Sequence, residues 1–289
     1  MPKIKIITDS TCDLPASYFQ EYALGVVPIN IQFGNETFEE GVNIDQRTFY
    51  QKVDALGIIP QTSQPSVGQF ADAYRAAARD GFDTILSLHV TGKLSGTVNS
   101  ATLAAREVAN EVRVIPFDSM AGSAGLGFMC VDAAEMARAG KSIDDIVARL
   151  EAARPRVGIV LALATLRYAQ MSGRISNLQG FIASLLNVKP IISLHEGNLA
   201  PSGRVRSRQA ALDLLLEHAR RAAGDRPVKF AVIHGEARAD ADALLARGKA
   251  ALNCVDAFVD DIAVSLAVHF GPGVIGTVVY PASPAGEVK

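Results

Sequence analysis

Apolar and polar positions alternate from Lys3 to Thr8 and run into a β-branched stretch, which predicts a first strand. Asp13 and Pro15 then stand where a helix carrying Tyr18, Phe19 and Tyr22 begins. Val26 to Phe33 predicts a second strand, Gly34 to Glu36 a turn, and Asp45 to Leu56 a helix opened by an N-capping carboxylate. A loop follows from Gly57 to Pro65, and Ser66 is placed to cap a helix through Arg79. Thr84 to Val90 predicts a strand, Thr97 to Val108 a helix, and Val112 to Phe117 another strand. Strands that alternate with helices imply parallel pairing, because a parallel neighbour can be reached only through a crossover of that length.

The segment from Asp118 to Gly127 is rich in Gly and Ser and predicts a loop. Helical stretches follow at Phe128 to Ala139 and Asp144 to Ala153, separated by Gly140. Pro155 interrupts the pattern, so the chain divides into residues 1–154 and 155–289. Beyond it, strands are predicted at Val157 to Leu163, Lys189 to Leu194, Val228 to His234, Val255 to Val259 and Val274 to Tyr280. Helices are predicted at Gln209 to Ala223 and Ala239 to Ala251. A hairpin turn at Gly197-Asn198 points to an antiparallel element that the first half lacks. The expected class is therefore α/β in two domains, the first with a mainly parallel sheet, the second with a mixed or antiparallel one.

Composition narrows the function. With 49% hydrophobic and 20% charged residues over 289 positions, the chain has material for two sizeable cores. The longest apolar run, Val157 to Ala164 apart from Gly158, falls far short of the roughly 20 residues that cross a bilayer. The N-terminus meets Asp9 too soon for a secretory signal, so a cytoplasmic location is expected. A formal net charge of −2, with both signs interspersed, gives no field to draw in nucleic acid. Cys12, Cys130 and Cys254 lack paired spacing, and His89, His195, His218 and His234 lack metal-ligand spacing, so neither a disulfide framework nor a metal site is predicted.

Three polar segments can carry binding chemistry. Thr91-Gly-Lys-Leu-Ser95-Gly96-Thr97 leads from a strand into a helix, whose first N–H groups and positive dipole end favour an anion. Ser95 and Thr97 add hydroxyls, and Gly96 lets a ligand approach the backbone, although the same residues fit Ser95 capping its own helix. Gln61-Thr62-Ser63-Gln64-Pro65-Ser66 is a second hydroxyl-rich loop, which taken alone reads more readily as an ordinary turn with Ser66 capping the next helix. His269-Phe-Gly271-Pro-Gly273 is a third, where an imidazole in a tight loop can donate to an anion. A carboxylate has only acceptors, so two or three neutral donors satisfy it without a buried cation. Ala121-Gly-Ser123-Ala-Gly125 approaches the nucleophile turn of serine hydrolases, but Ala121 replaces its first Gly. Neither a Gly-x-Gly-x-x-Gly fingerprint nor a lysine-bearing phosphate loop is present.

Taken in order, these segments resemble the DegV family. Ile7-Thr-Asp9-Ser-Thr-Cys-Asp13-Leu, Thr62-Ser63-Gln-Pro65-Ser, Leu94-Ser95-Gly96-Thr97 and Phe117-Asp118-Ser119 carry the likeness in the first half. Ser172-Gly173-Arg174-Ile175-Ser176, Lys189-Pro190-Ile191 and His269-Phe-Gly271-Pro272-Gly273 carry it in the second. The resemblance implies a non-catalytic protein that holds a long-chain fatty acid such as palmitate near the domain junction, with the acyl chain in an apolar tunnel and no other cofactor. It places the carboxylate on Thr62 and Ser95, with Ser63, the Gly96 backbone and His269 as further ligands. Some fifteen methylenes at about 0.8 kcal/mol each give up to roughly 12 kcal/mol before entropy losses, so the tail supplies affinity and the polar site orientation. Similar proteins present the carboxylate to a separate ATP-binding fatty acid kinase chain, for which Arg204, Arg206 and Arg208 form a candidate docking cluster. One departure stands out: family members often carry Arg-Gly-Gly-Arg where this chain has Gln170-Met171-Ser172-Gly173-Arg174. The rival readings are a small-molecule hydrolase acting through Ser123 and a regulatory binding protein that takes no lipid.

Overall fold

In the computed structural model, which describes residues 3–165, 167–173 and 188–282, the first half contributes seven strands and six helices. In order they are β1 (Ile4–Asp9), α1 (Ala16–Glu21), β2 (Gly25–Val27), β3 (Asn30–Phe33), β4 (Glu36–Glu39), α2 (Gln46–Leu56) and β5 (Gln61–Ser63). There follow α3 (Val67–Arg79), β6 (Thr84–His89), α4 (Thr97–Glu107), β7 (Arg113–Asp118), α5 (Ser123–Arg138) and α6 (Ile143–Ala153). Beyond a 3-10 turn at Arg154–Arg156 come β8 (Gly158–Ala162), α7 (Arg167–Ser172), β9 (Lys189–His195), β10 (Asn198–Val205) and α8 (Arg208–Ala223). The described chain ends with β11 (Val228–His234), α9 (Arg238–Ala251), β12 (Cys254–Asp261), α10 (Val264–Phe270) and β13 (Ile275–Pro281).

Strands β2-β1-β6-β7 form an all-parallel sheet, as the alternation of strands and helices predicts. Helices cover both of its faces, and all six residues of β6 are buried, the polar Thr84, Ser87 and His89 together with Ile85, Leu86 and Leu88. Residues 158–281 supply a six-stranded sheet in the order β10-β9-β8-β13-β11-β12, antiparallel except for β11 against β12. The mixed character expected of the second half is therefore observed. The first half, however, does contain an antiparallel element, the small sheet β4-β3-β5. Its origin is Pro28. A proline has no N–H for a ladder, so the single strand expected from Val26 to Phe33 breaks there, and its two pieces join different sheets. Ile29, just past the break, donates its N–H to the Ser10 hydroxyl at 2.9 Å.

Several local expectations change for identifiable reasons. Asp45 and Ser66 cap α2 and α3 as predicted, Ser66 in a capping box with Gln69. Asp13 does not cap α1, whose N-cap is Pro15; it turns inward instead. The two hairpin-loop residues are Glu196 and Gly197, both with positive φ, because His195 pairs with Asn198. The Gly- and Ser-rich stretch expected to be a loop up to Gly127 is already helical from Ser123. Every residue of α5 from Ser123 to Ala134 is buried, so the helix shows no amphipathic period. It lies between the two large sheets: Met129 and Leu126 join the core with Ile6 and Leu88, while the Phe128 ring sits 5.3 Å from Phe258 and 5.8 Å from Tyr280. Gly127 and Gly125 permit that double contact. A Cβ on Gly127 would stand 2.7 Å from Leu14 Cγ, and one on Gly125 2.8 Å from Ile159 Cδ1.

Candidate functional site

Thr62, Ser95 and His269, widely spaced in sequence, line one small cavity of about 70 Å³. Its other walls are mostly apolar: Ile29, Val90, Leu94, Leu199, Leu266 and Phe270. Segments on both sides of Pro155 therefore meet here. The Thr62 hydroxyl lies 3.1 Å from His269 Nε2 across 207 residues of chain. Each partner is set by its element. Thr62 pairs with Ile31 at the centre of β5, and in a three-residue strand its neighbours Gln61 and Ser63 face the other way. Ser63, expected to join the carboxylate site, is accordingly exposed and lies outside the cavity lining. His269 occupies the last turn of α10 rather than the loop foreseen for it, which starts at Gly271.

Ser95 sits where β6 feeds α4. Its Oγ accepts from the Thr97 N–H at 3.3 Å and lies 2.8 Å from Thr97 Oγ1. Thr97 can donate that hydroxyl contact, which leaves the Ser95 proton free to turn into the cavity. The N-cap of α4 is Gly96, which has no side chain to cap the helix, and apart from the Thr97 N–H taken by Ser95 the leading end of α4 keeps its partial positive charge toward this region. Gly96 also allows a close approach within the protein. A Cβ there would meet Gln64 Nε2 at 2.9 Å, so the bare glycine lets the two polar segments close on each other.

Behind the cavity stands a bracket that sequence reasoning left without a role. Asp9, fully buried, accepts through Oδ1 from the Thr11 N–H and hydroxyl, and through Oδ2 from the Val90 N–H and His89 Nδ1. Burial pushes its pKa up, but His89, Thr11 and Val90 outweigh burial and hold it below the usual carboxylate range. His89 continues through Ser87 to Tyr74, a chain of buried hydrogen bonds that fixes both Thr11 and Val90 at the cavity wall. Two further buried carboxylates hold the start of α10: Asp13 accepts from the Ala263 N–H and Glu40 from the Ser265 N–H, each at 2.8 Å. Burial raises Asp13 well above its ordinary range, and raises Glu40 to about 7. Ser265 itself lines the cavity and was not foreseen; a helix over 264–270 would have set it four residues before His269, on the same face.

Other expected residues lie elsewhere. The Arg208 guanidinium is already engaged, with Asp240 Oδ2 at 2.7 Å and the Gly273 carbonyl at 2.8 Å, so it steadies the loop after α10; Arg204 and Arg206 are exposed. Ser123 is buried, and its hydroxyl donates to Asp13, a carboxylate rather than the imidazole a serine nucleophile needs. Gln170 and Met171, in the segment where the chain departs from the expected Arg-Gly-Gly-Arg pattern, are exposed toward the end of α7. Arg174 and Ser176 lie outside the described residues. Among the described residues there is no cluster of His, Cys, Asp or Glu able to hold a metal ion, and no helix long and apolar enough to cross a membrane.

Fold and cavity together define an α/β protein of two large sheets, with a polar-headed, apolar-walled hollow where its halves meet. The chain belongs to the DegV family, described as uncharacterised proteins, whose sequence pattern matches residues 3–282. A DegV domain-containing protein of Deinococcus radiodurans is 37% identical over 285 residues, covering 97% of this chain and 99% of that one. Among solved structures, a fatty-acid-binding DegV family protein from Thermus thermophilus superposes with a TM-score of 0.90 at 34% identity, covering 98% of this chain and 100% of the other. A stearic-acid-binding protein from Eubacterium ventriosum gives 0.89 at 26%, covering 97% and 98%.

Proposed function

We propose that this protein binds one long-chain fatty acid, with the carboxylate in the cavity lined by Thr62, Ser95 and His269. The observation that carries this is the convergence of those three donors, from β5, the β6–α4 loop and α10, on one apolar-walled hollow. Relatives that bind fatty acids share the fold along nearly the whole chain. Residues 1–154 supply Thr62 and Ser95, and residues 155–289 supply His269 and close the pocket with α10. At about 70 Å³ the cavity holds a carboxylate-sized head but not an acyl chain, so the apolar walls must part to admit the tail. Burial of that tail drives affinity, and the neutral donors fix orientation.

The protein acts as a carrier that presents the carboxylate to a separate ATP-dependent kinase for acyl phosphate formation. The sequence supports this division of labour, since it carries neither a lysine-bearing phosphate loop nor a dinucleotide fingerprint. Arg204 and Arg206, exposed on β10 and just beyond it, are the docking candidates that remain once Arg208 is assigned to Asp240 and Gly273.

Denaturation and solvent extraction of purified protein, followed by mass spectrometry, should release about one long-chain fatty acid per chain; repeatedly empty extracts would remove the basis for the reading. With the delipidated protein, Ser95→Ala and Thr62→Val should each weaken palmitate binding by about 1–3 kcal/mol, the cost of losing a hydrogen bond to a charged group.

A further inference from the structure

We infer that Ser265 is a further donor to the ligand carboxylate, so that hydroxyls from both halves of the chain grip the head group. This rests on the fatty-acid reading above. Ser265 is only 3% exposed, yet it is one of the residues that line the cavity shared by Thr62, Ser95 and His269. Its backbone N–H is committed to Glu40 Oε1 at 2.8 Å. Its hydroxyl lies close enough to Glu40 to favour that group's charge, but no described group meets it with hydrogen-bond geometry. A buried hydroxyl without a partner is a cost to the folded chain that a bound acceptor removes. A carboxylate is such an acceptor, with lone pairs to spare after Thr62 and Ser95 have donated.

Position supports the assignment. Ser265 and His269 stand one helical turn apart on α10, so both reach the same hollow, opposite the hydroxyls contributed by the first half. The hydroxyl has one proton and two possible acceptors, Glu40 and the ligand. If it served Glu40 structurally, removing it would weaken the empty protein. If it serves the ligand, removing it leaves the empty protein unharmed and weakens binding alone.

The experiment compares delipidated wild type with Ser265→Ala and with Ser265→Cys, which keeps the shape with a slightly larger atom and replaces the strong donor by a weak one. Palmitate and the uncharged hexadecanol serve as probes in titration calorimetry, with melting temperatures of the empty proteins measured alongside. Both variants should bind palmitate about tenfold or more weakly, hexadecanol within about threefold of wild type, and melt no lower when empty. Unchanged palmitate affinity in both variants, while Ser95→Ala and Thr62→Val still lose it, would overturn the Ser265 assignment and leave the fatty-acid reading standing. A fall in the melting temperature of empty Ser265→Ala with no specific loss for palmitate would assign the hydroxyl to Glu40. Wild type that binds no palmitate would overturn both.

Discussion

Glu40 is buried at 6% exposure, between the Ser10 hydroxyl and the Ser265 N–H. Burial lifts its pKa to about 7 from an ordinary 4.5, against the hydrogen bonds from Ser10 and Ser265 that favour its charge. An acid that holds its proton more tightly when folded stabilises the native state fully below its unfolded pKa, and that contribution is lost as pH rises through the folded value. For Glu40 the loss therefore runs between about pH 4.5 and 7, and Asp13, raised in the same direction, acts in the same sense. Glu40→Gln keeps an acceptor for Ser265 and removes the charge. Its melting temperature should fall less than that of wild type between about pH 5 and 8, with a relative gain at the upper end on the order of 3 kcal/mol. Parallel curves for the two proteins would show that Glu40 titrates like an exposed acid. Nothing in the sequence marks this residue, because its defining contact is with a residue 225 positions away. Thr62, Ser95 and His269, which line one cavity, were singled out from donor chemistry and from family likeness, whereas Ser265, Asp9 and Glu40 acquire meaning only from the neighbours that folding brings.

Elements were legible wherever their pattern repeated. The alternation in β1 and the caps of α2 and α3 announce themselves locally. What escaped is short or featureless: β5 has three residues, α10 has seven, and α5 is apolar on all sides at its start. The cost of missing them fell on the site. A three-residue strand turns Ser63 away from Thr62, and a one-and-a-half-turn helix, rather than a loop, aims His269 and Ser265. The glycines of α5 give this a measurable form. Alanine normally favours a helix over glycine by about 1 kcal/mol. In Gly127→Ala the new Cβ would meet Leu14 Cγ and the Asp13 carbonyl, the latter at 2.9 Å, and backbone cannot step aside cheaply. Gly127→Ala should therefore destabilise by about 1–3 kcal/mol, read as a lower denaturant midpoint at unchanged slope. Gly125→Ala meets only side-chain atoms, Ile159 Cδ1 at 2.8 Å and Val157 Cγ1 at 3.1 Å, and should cost less. Equal effects would mean that the two approaches of α5, to the β1–α1 segment and to β8, are equally forgiving.

At the scale of the whole molecule, the chain on either side of Pro155 shares one hydrophobic core: Ile6, Leu88 and Met129 belong to the same buried cluster as Ile159, Ile192 and Tyr280. Polar contacts cross at the same places. Lys229 Nζ reaches Asp132 on α5 at 3.1 Å, Gln46 donates to the Ile262 carbonyl at 2.8 Å, and Thr91 donates to the Gly197 carbonyl at the tip of the β9–β10 hairpin at 3.0 Å. A core continuous across the middle of the chain couples the unfolding of its parts, so calorimetry of the delipidated protein should show one cooperative transition. On the proposed reading, a ligand lodged among Thr62, Ser95 and α10 would touch both halves of that core and bind only the folded state. At palmitate a hundredfold above its dissociation constant the stabilisation is about 2.7 kcal/mol, enough to raise the melting temperature by roughly 5 °C or more in one step. Two transitions, of which palmitate shifts just one, would mean that the halves fold independently and that the head group is held by one of them alone. A single transition that moves as a unit with palmitate, but not with hexadecanol to the same extent, would tie the carboxylate contacts to the stability of the entire fold.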